Sequence, residues 1–154
     1  MRYTCVTTLK EIKSYLAGAE LVAFDFETVP TEQYRDVERA ALDAHRSEIT
    51  GVSFSVTEGS AIYVPLRHRA GKNANPAKIV PYLQKAVFEN PAIVKVAHNL
   101  AFESMFLYAL GVIVLPPCYD TIAACQLALK SHVNFRGLGE SDLKTLVPQL
   151  FGVS

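Results

Sequence analysis

Leu21-Val22-Ala23-Phe24-Asp25-Phe26-Glu27-Thr28 reads as a buried strand interrupted by two acids. Side chains alternate faces along a strand, so residues two apart project together and these carboxylates share one face. Removing charge from water is costly and neighbouring carboxylates repel, so a strand this apolar keeps the pair only with compensation. The natural compensation is a hard, oxygen-seeking divalent cation, Mg²⁺ or Mn²⁺. The competing reading ends the strand at Phe24 and leaves both acids in a solvated loop. Two-residue spacing alone holds the two readings level.

At 154 residues and 50% hydrophobic, the chain suits one domain with a sizeable core and excludes general disorder. No apolar run approaches the ~20 residues that span a bilayer, and the start lacks the apolar segment of a signal peptide. A soluble, intracellular protein with no membrane partner is expected. Cys5, Cys118 and Cys125 form no CxxC pair, and their odd number argues against a disulfide framework or structural zinc. They are expected to be reduced core residues. Fifteen basic and fifteen acidic residues cancel, so net charge advertises no broad attraction to phosphate, and any nucleic-acid contact is local or metal-bridged. The densest basic stretch, Arg67-His68-Arg69 with Lys72, follows an apolar run where it could touch a phosphate backbone; a solvated loop is the plainer reading.

Along the chain, residues 3–6 suggest an edge strand and 8–17 a helix stopped by Gly18. After the central strand at 21–26 comes the most polar part, 29–48, whose middle at 35–44 favours helix by propensity. Residues 49–56 and 61–65 read as a hairpin turning at Gly59. Asn75-Pro76 starts a helix that ends near Asn90-Pro91. A short strand at 93–97 runs into His98-Asn99 and a helix at 100–110 stopped by Gly111, with a further extended piece at 112–115. Asp120 caps a helix over 121–130, a loop fills 131–140, and Ser141-Asp142 caps a last helix around 143–147. A meander of strands, then a helix, an inner strand and more helices describe an α/β fold, a mixed sheet flanked by helices.

The second candidate site is Val96-Ala97-His98-Asn99-Leu100-Ala101-Phe102-Glu103, an inner strand passing into a helix. One helical turn separates Asn99 from Glu103, which places an amide and a carboxylate on one face near the helix start, at a strand's carboxyl end, where α/β sheets commonly build sites. An Asn cap and a surface Glu explain the pair equally well.

Together these segments resemble the DEDD (DnaQ-like) 3′→5′ exonucleases, most closely the proofreading domain of family A DNA polymerases as phages carry it. Asp25-Phe26-Glu27-Thr28 matches the first motif of that family and His98-Asn99-Leu100-Ala101-Phe102-Glu103 the second. Tyr119-Asp120-Thr121 and the stretch 138–152, with Leu143-Lys144, Leu146-Val147 and Leu150-Phe151-Gly152, are similar to the segments that follow. Glu103 stands where the family usually has Asp, keeping the charge and adding one methylene of reach. The third motif, a Tyr or His followed by Asp on a C-terminal helix, has no counterpart here. The late acids Asp120, Glu140 and Asp142 lack the upstream aromatic or His.

The resemblance implies a ribonuclease H-like sheet whose C-terminal helix is missing, and a single exonuclease-like domain over residues 1–154 that is the N-terminal fragment of a longer polymerase. It implies two divalent cations, Mg or Mn. Asp25 would bridge both, Glu27 would bind the first and Glu103 the second, the pair polarising a water for in-line attack on the terminal phosphodiester. The released product would be a nucleoside 5′-monophosphate. Thr28, Asn99 and Phe102 would contact the terminal nucleotide, Phe102 by stacking, although core packing is at least as good a role for it. His98 more plausibly packs or caps than serves as a base, and His132 receives no role. The implied partners are the single-stranded 3′ end of DNA and a polymerase domain of the same chain, in the cytoplasm of a bacterial or phage-infected cell. Without the third motif, weak metal binding and slow or absent cleavage are expected. The rival functions are a non-catalytic nucleic-acid-binding or scaffolding domain and an RNase D-like RNA-processing enzyme.

Overall fold

The computed structural model describes residues 2–129 and 143–152. The quoted stretch opens strand β2, Leu21–Pro30, which continues through both acids, so the loop reading falls away. Val22, Phe24 and Phe26 are buried while Asp25 and Glu27 lie on the other, open face. Burial of side chains of this size stabilises by about 1.5–3 kcal/mol each, which anchors the acid-bearing strand from behind.

Strands β1 (Arg2–Cys5), β3 (Ser47–Thr57), β4 (Ser60–Pro65), β5 (Val94–Ala97) and β6 (Cys118–Asp120) complete a sheet of order β1-β4-β3-β2-β5-β6. β2, β3 and β4 form the expected antiparallel meander, while β1 joins β4 and β5 joins β2 in parallel. Ile12 and Leu16 of helix α1 (Leu9–Leu16) join the core with Ile79 and Leu83 of α2 (Pro76–Leu83) and Phe106 and Leu107 of α3 (Leu100–Ala109). Phe88, at the end of a single π turn that extends α2, meets Phe24 and Phe26 edge-on at 5.1 and 6.4 Å between centroids. The fold is thus the expected α/β arrangement, and the described residues contain no helix long and apolar enough to cross a membrane.

Local signals account for the helix starts. Thr8 and Glu11 form a reciprocal capping box on α1, and the Asn75 side chain accepts from Ala77 N at 3.0 Å with Pro76 in the first turn of α2.

Several expectations need correction. Residues 35–44 are not a helix: short 3₁₀ turns occupy Glu32–Tyr34 and Ala40–Leu42, with Arg39 at φ 60° between them. Tertiary ties override propensity there, because Thr28 Oγ1 donates to Ala41 O and Ser47 Oγ to Asp43 O, pinning the segment to the sheet. Residues 112–115 form no strand; the edge strand is β6, after Pro116-Pro117. Proline offers no N–H to a ladder, and pairing here begins with the Pro117 carbonyl, which accepts from Lys95 N at 3.0 Å. The cysteines are free but not core: Cys5 and Cys118 are exposed and Cys125 is half-buried. Helix α4 covers Thr121–Leu129, and the last helix, α5, is longer than expected at Leu143–Phe151. The loop at 131–140, His132, Glu140 and the Ser141-Asp142 cap lie outside the described residues.

Candidate active site

On β2, Asp25 pairs across to Ser53 and Glu27 to Gly51 on β3. The register then shifts, Thr28 pairing with Ile49, so Thr50 is an extra residue. Such a bulge increases local twist and re-aims the side chains beside it, and Thr50 Oγ1 fastens it by donating to Glu27 O at 3.0 Å. Burial pushes the Asp25 carboxyl above its ordinary value, the Glu27 charge pushes the same way, and His98 pulls it back.

Strand β5 runs parallel to β2, with Ala23 paired to Val96, so β5 ends beside the stretch of β2 that carries Asp25. From there the chain passes through His98 and Asn99 into α3, whose fourth residue is Glu103. Glu103 is 2% exposed and its Oε2 has no hydrogen-bond partner. Burial raises its pKa to about 7; its own backbone lowers it, and the charges of Asp25 and Asp120 raise it further. The structure therefore places Glu103 within electrostatic reach of Asp25, and the surface-Glu reading is wrong.

The helical-face argument for Asn99 also fails. Asn99 sits at φ 73°, outside the helix, with its side chain exposed and making no capping bond. Asp120 makes the cap instead: its carboxylate accepts from Asn99 N at 3.1 Å, Leu100 N at 2.9 Å and Ile122 N at 2.9 Å. One side chain thus caps α4, as expected, and also α3. The neighbouring Thr121 Oγ1 lies 2.8 Å from His98 Nδ1 and 3.3 Å from Ala97 O. His98 is therefore tied into this junction, in keeping with a packing role. The long-range part of Asp120's role was invisible in the sequence because β6, which carries Asp120 alongside Ala97, was not recognised as a strand.

Of the expected substrate contacts, Asn99 offers a free-standing amide on the surface, whereas the Thr28 hydroxyl is engaged with Ala41 O at 2.8 Å. Phe102 is half-buried against Phe106, with centroids 4.9 Å apart. A cavity of ≈270 Å³ opens beside Asp25, lined also by Ser53, Ser55, Val96, His98 and Thr121.

The donor set suits a hard cation: carboxylates whose charges disfavour one another, and a buried carboxyl oxygen without a donor. The ligand shell is not closed, however. Among the described residues, no group of three or more His, Cys, Asp or Glu side chains is arranged to hold a metal ion.

Comparisons with known proteins bear on the family and the fold. DNA polymerase I of Chloroflexus aurantiacus is 26% identical over 142 residues, covering 92% of this chain and 14% of the polymerase. DNA polymerase I of Rhizobium leguminosarum is 27% identical over 172 residues, covering 97% of this chain and 15% of the polymerase. The chain thus spans about one-seventh of the length of these relatives. Among solved structures, Brucella melitensis NrnC with bound Mg²⁺ superimposes with a TM-score of 0.64 at 21% identity, over 99% of this chain and 62% of that one, a likeness of fold. The sheet and its flanking helices are those of ribonuclease H-like exonucleases. With the family model described as 3'-5' exonuclease matching residues 2–154, the chain belongs to the DnaQ-like 3′→5′ exonuclease family found as a domain of family A DNA polymerases.

Proposed function

We propose that this chain removes nucleotides from the single-stranded 3′ end of DNA as the proofreading domain of a longer polymerase. The observation that carries this reading is the buried Glu103 carboxyl, its Oε2 without a partner, in the field of Asp25 near the carboxyl end of β5. Asp25 and Glu27 would hold one divalent cation, Mg or Mn, with Asp25 shared toward a second held by Glu103. Cations at such a site supply Lewis acidity and neutralise charge on the phosphoryl oxygens. NrnC, whose structure was solved with bound Mg²⁺, supports the choice of ion.

The remaining residues bind and orient. Asn99, exposed and next in sequence to His98 of the cavity wall, donates its amide to the terminal sugar or phosphate, Thr28 contributes backbone bonds, and the half-buried Phe102 offers an edge for stacking. Hydrolysis frees a nucleoside 5′-monophosphate and leaves a new 3′ hydroxyl. A polymerase domain in the same chain is the natural partner, as the relatives are DNA polymerases of which this chain matches about one-seventh, working in the cytoplasm of a bacterial or phage-infected cell. A non-catalytic binding domain has no physical need for a strained carboxylate set, and the sequence relatives favour DNA over an RNase D-like role.

The test is shortening of a 5′-labelled oligodeoxynucleotide by the purified protein with Mn²⁺. Slow loss from the 3′ end with release of nucleoside 5′-monophosphates, removed by Asp25→Ala, is expected. Shortening that starts from the 5′ end, or that survives Asp25→Ala, contradicts the proposal.

A further inference from the structure

Beside Glu27 lies a second polar group that the acid site does not use. Register carries the open face laterally from Asp25 to Ser53 on β3 and to Tyr63 on β4, so the Tyr63 ring stands on the same face as the acids. Gly51, the cross-strand partner of Glu27, has no side chain, and the phenol takes its place. A Cβ built on Gly51 would lie 2.0 Å from the Tyr63 hydroxyl oxygen. Directly opposed side chains on an antiparallel pair stand about 4.5–5.5 Å apart at Cβ, so the hydroxyl sits next to the Glu27 side chain. The Tyr63 hydroxyl is accordingly pushed above its usual pKa by burial first and by the Glu27 charge second.

The phenol is held from its outer side. His68 Nε2 lies 2.7 Å from the hydroxyl oxygen, and the two rings meet edge-on at 5.6 Å. The loop that carries His68 is fixed in turn, His68 N donating to Asn73 Oδ1 and Asn73 Nδ2 to His68 O, each at 2.8 Å. Leu66 N and Arg67 N both donate to Thr50 O, the bulge residue beside Glu27, at 2.7 and 3.0 Å. Arg67 is committed to Glu48 at 3.1 Å, whereas Arg69, two residues along, has a side chain 79% exposed and reaches Glu32 only at 3.9 Å. A hydroxyl on β4 and an imidazole on an anchored loop thus stand on the Glu27 side of the sheet, with an extended guanidinium one residue farther along that loop.

A tyrosine hydroxyl has one proton to give and two lone pairs, so it can bond His68 and a second group together. Carboxylates repel a nucleic-acid strand wherever a cation does not cover them, so a strand laid over Asp25 and Glu27 needs neutral or cationic donors alongside. We propose that Tyr63 and His68 form a phosphodiester subsite that holds the backbone of a bound strand beside Glu27, with Arg69 as its charged margin. This rests on the nucleic-acid substrate proposed above. Tyr63 O–H gives the hydrogen bond to the phosphate, while its oxygen accepts from His68 Nε2–H, which fixes the ring.

The test is fluorescence anisotropy of a 5′-fluorescein oligothymidylate, its 3′ end protected by phosphorothioate linkages, titrated with the protein in Mg²⁺. Tyr63→Phe, which keeps the ring, and His68→Gln are each expected to weaken binding about tenfold, the size of one hydrogen bond to a charged group. The double variant should be little weaker than either alone, as residues of one unit are non-additive. Gly51→Ala, which displaces the phenol without removing it, should match Tyr63→Phe. Binding within about twofold of the unsubstituted protein for both Tyr63→Phe and His68→Gln overturns the subsite and leaves the exonuclease reading standing. Failure of the unsubstituted protein to bind the strand overturns both.

Discussion

Glu103 and Asp120 flank the same helix start and have opposite environments. Asp120 is surrounded by donors, accepting from three backbone N–H groups that belong to the beginnings of α3 and α4. Glu103, one turn into α3, is buried with one oxygen facing no donor. A carboxylate saturated with backbone N–H groups has its charge offset locally and contributes structure. One that is buried without donors destabilises the fold whenever it ionises, and it persists where a ligand completes it. The difference separates the residue that builds the junction from the residue that the junction presents.

The largest expected effect comes from removing the saturated partner. Asp120→Ala uncaps two helices at once and should cost about 3 kcal/mol, read as the urea unfolding midpoint, since a single lost cap costs about 0.5–2 kcal/mol. A cost below about 1 kcal/mol would mean that Asp120 is no more structural than an ordinary surface acid.

Glu103 should behave in the opposite sense. With its pKa at about 7 in the fold and 4.5 as its model value, the folded state holds the extra proton between these two pH values. The contribution of Glu103 to stability is therefore largest below about pH 4.5 and is lost as pH rises through about 7, by up to about 3 kcal/mol in cation-free buffer. Glu103→Gln cannot ionise and should lose this slope. Parallel stability curves for the two proteins between pH 4.5 and 8 would contradict the contrast.

A divalent cation sharpens the comparison further. Saturation with Mg²⁺ at pH 8 should restore about 2–3 kcal/mol to the unsubstituted protein, the linkage expected near one hundred times the dissociation constant. In Glu103→Gln the gain should be clearly smaller, and equal gains would exclude Glu103 from the cation's surroundings. The smallest effect is reserved for Asn99. Its side chain makes no cap bond and its backbone is left-handed, so Asn99→Gly should change stability by no more than about 0.5 kcal/mol. The same change should weaken oligonucleotide binding severalfold.

Much of this contrast was legible in sequence, and the reasons are local. Alternation in residues 21–28 gave the strand and the shared face of Asp25 and Glu27 because burial on β2 has the period of the pleat. Thr8, Asn75 and Gly111 mark helix ends where they should, since caps and left-handed stops act through neighbouring backbone. What sequence did not reveal depends on distant pairing. The reach of Asp120 to α3, the burial of Glu103 and the seating of Tyr63 over Gly51 each need strands brought together from separate parts of the chain. The helix expected at 35–44 failed for the same reason, as contacts with Thr28 and Ser47 outweigh propensity there.

Whether the acids on β2 and the acid on α3 serve one centre is tested most directly by calorimetric titration of Mn²⁺ into the protein at pH 8, beside Asp25→Asn and Glu103→Gln. A shared centre predicts saturable binding that each substitution weakens by about tenfold or more, as the loss of one charged ligand should. Binding lost with Asp25→Asn but unchanged in Glu103→Gln would separate the two sides of the site and contradict a single cation centre.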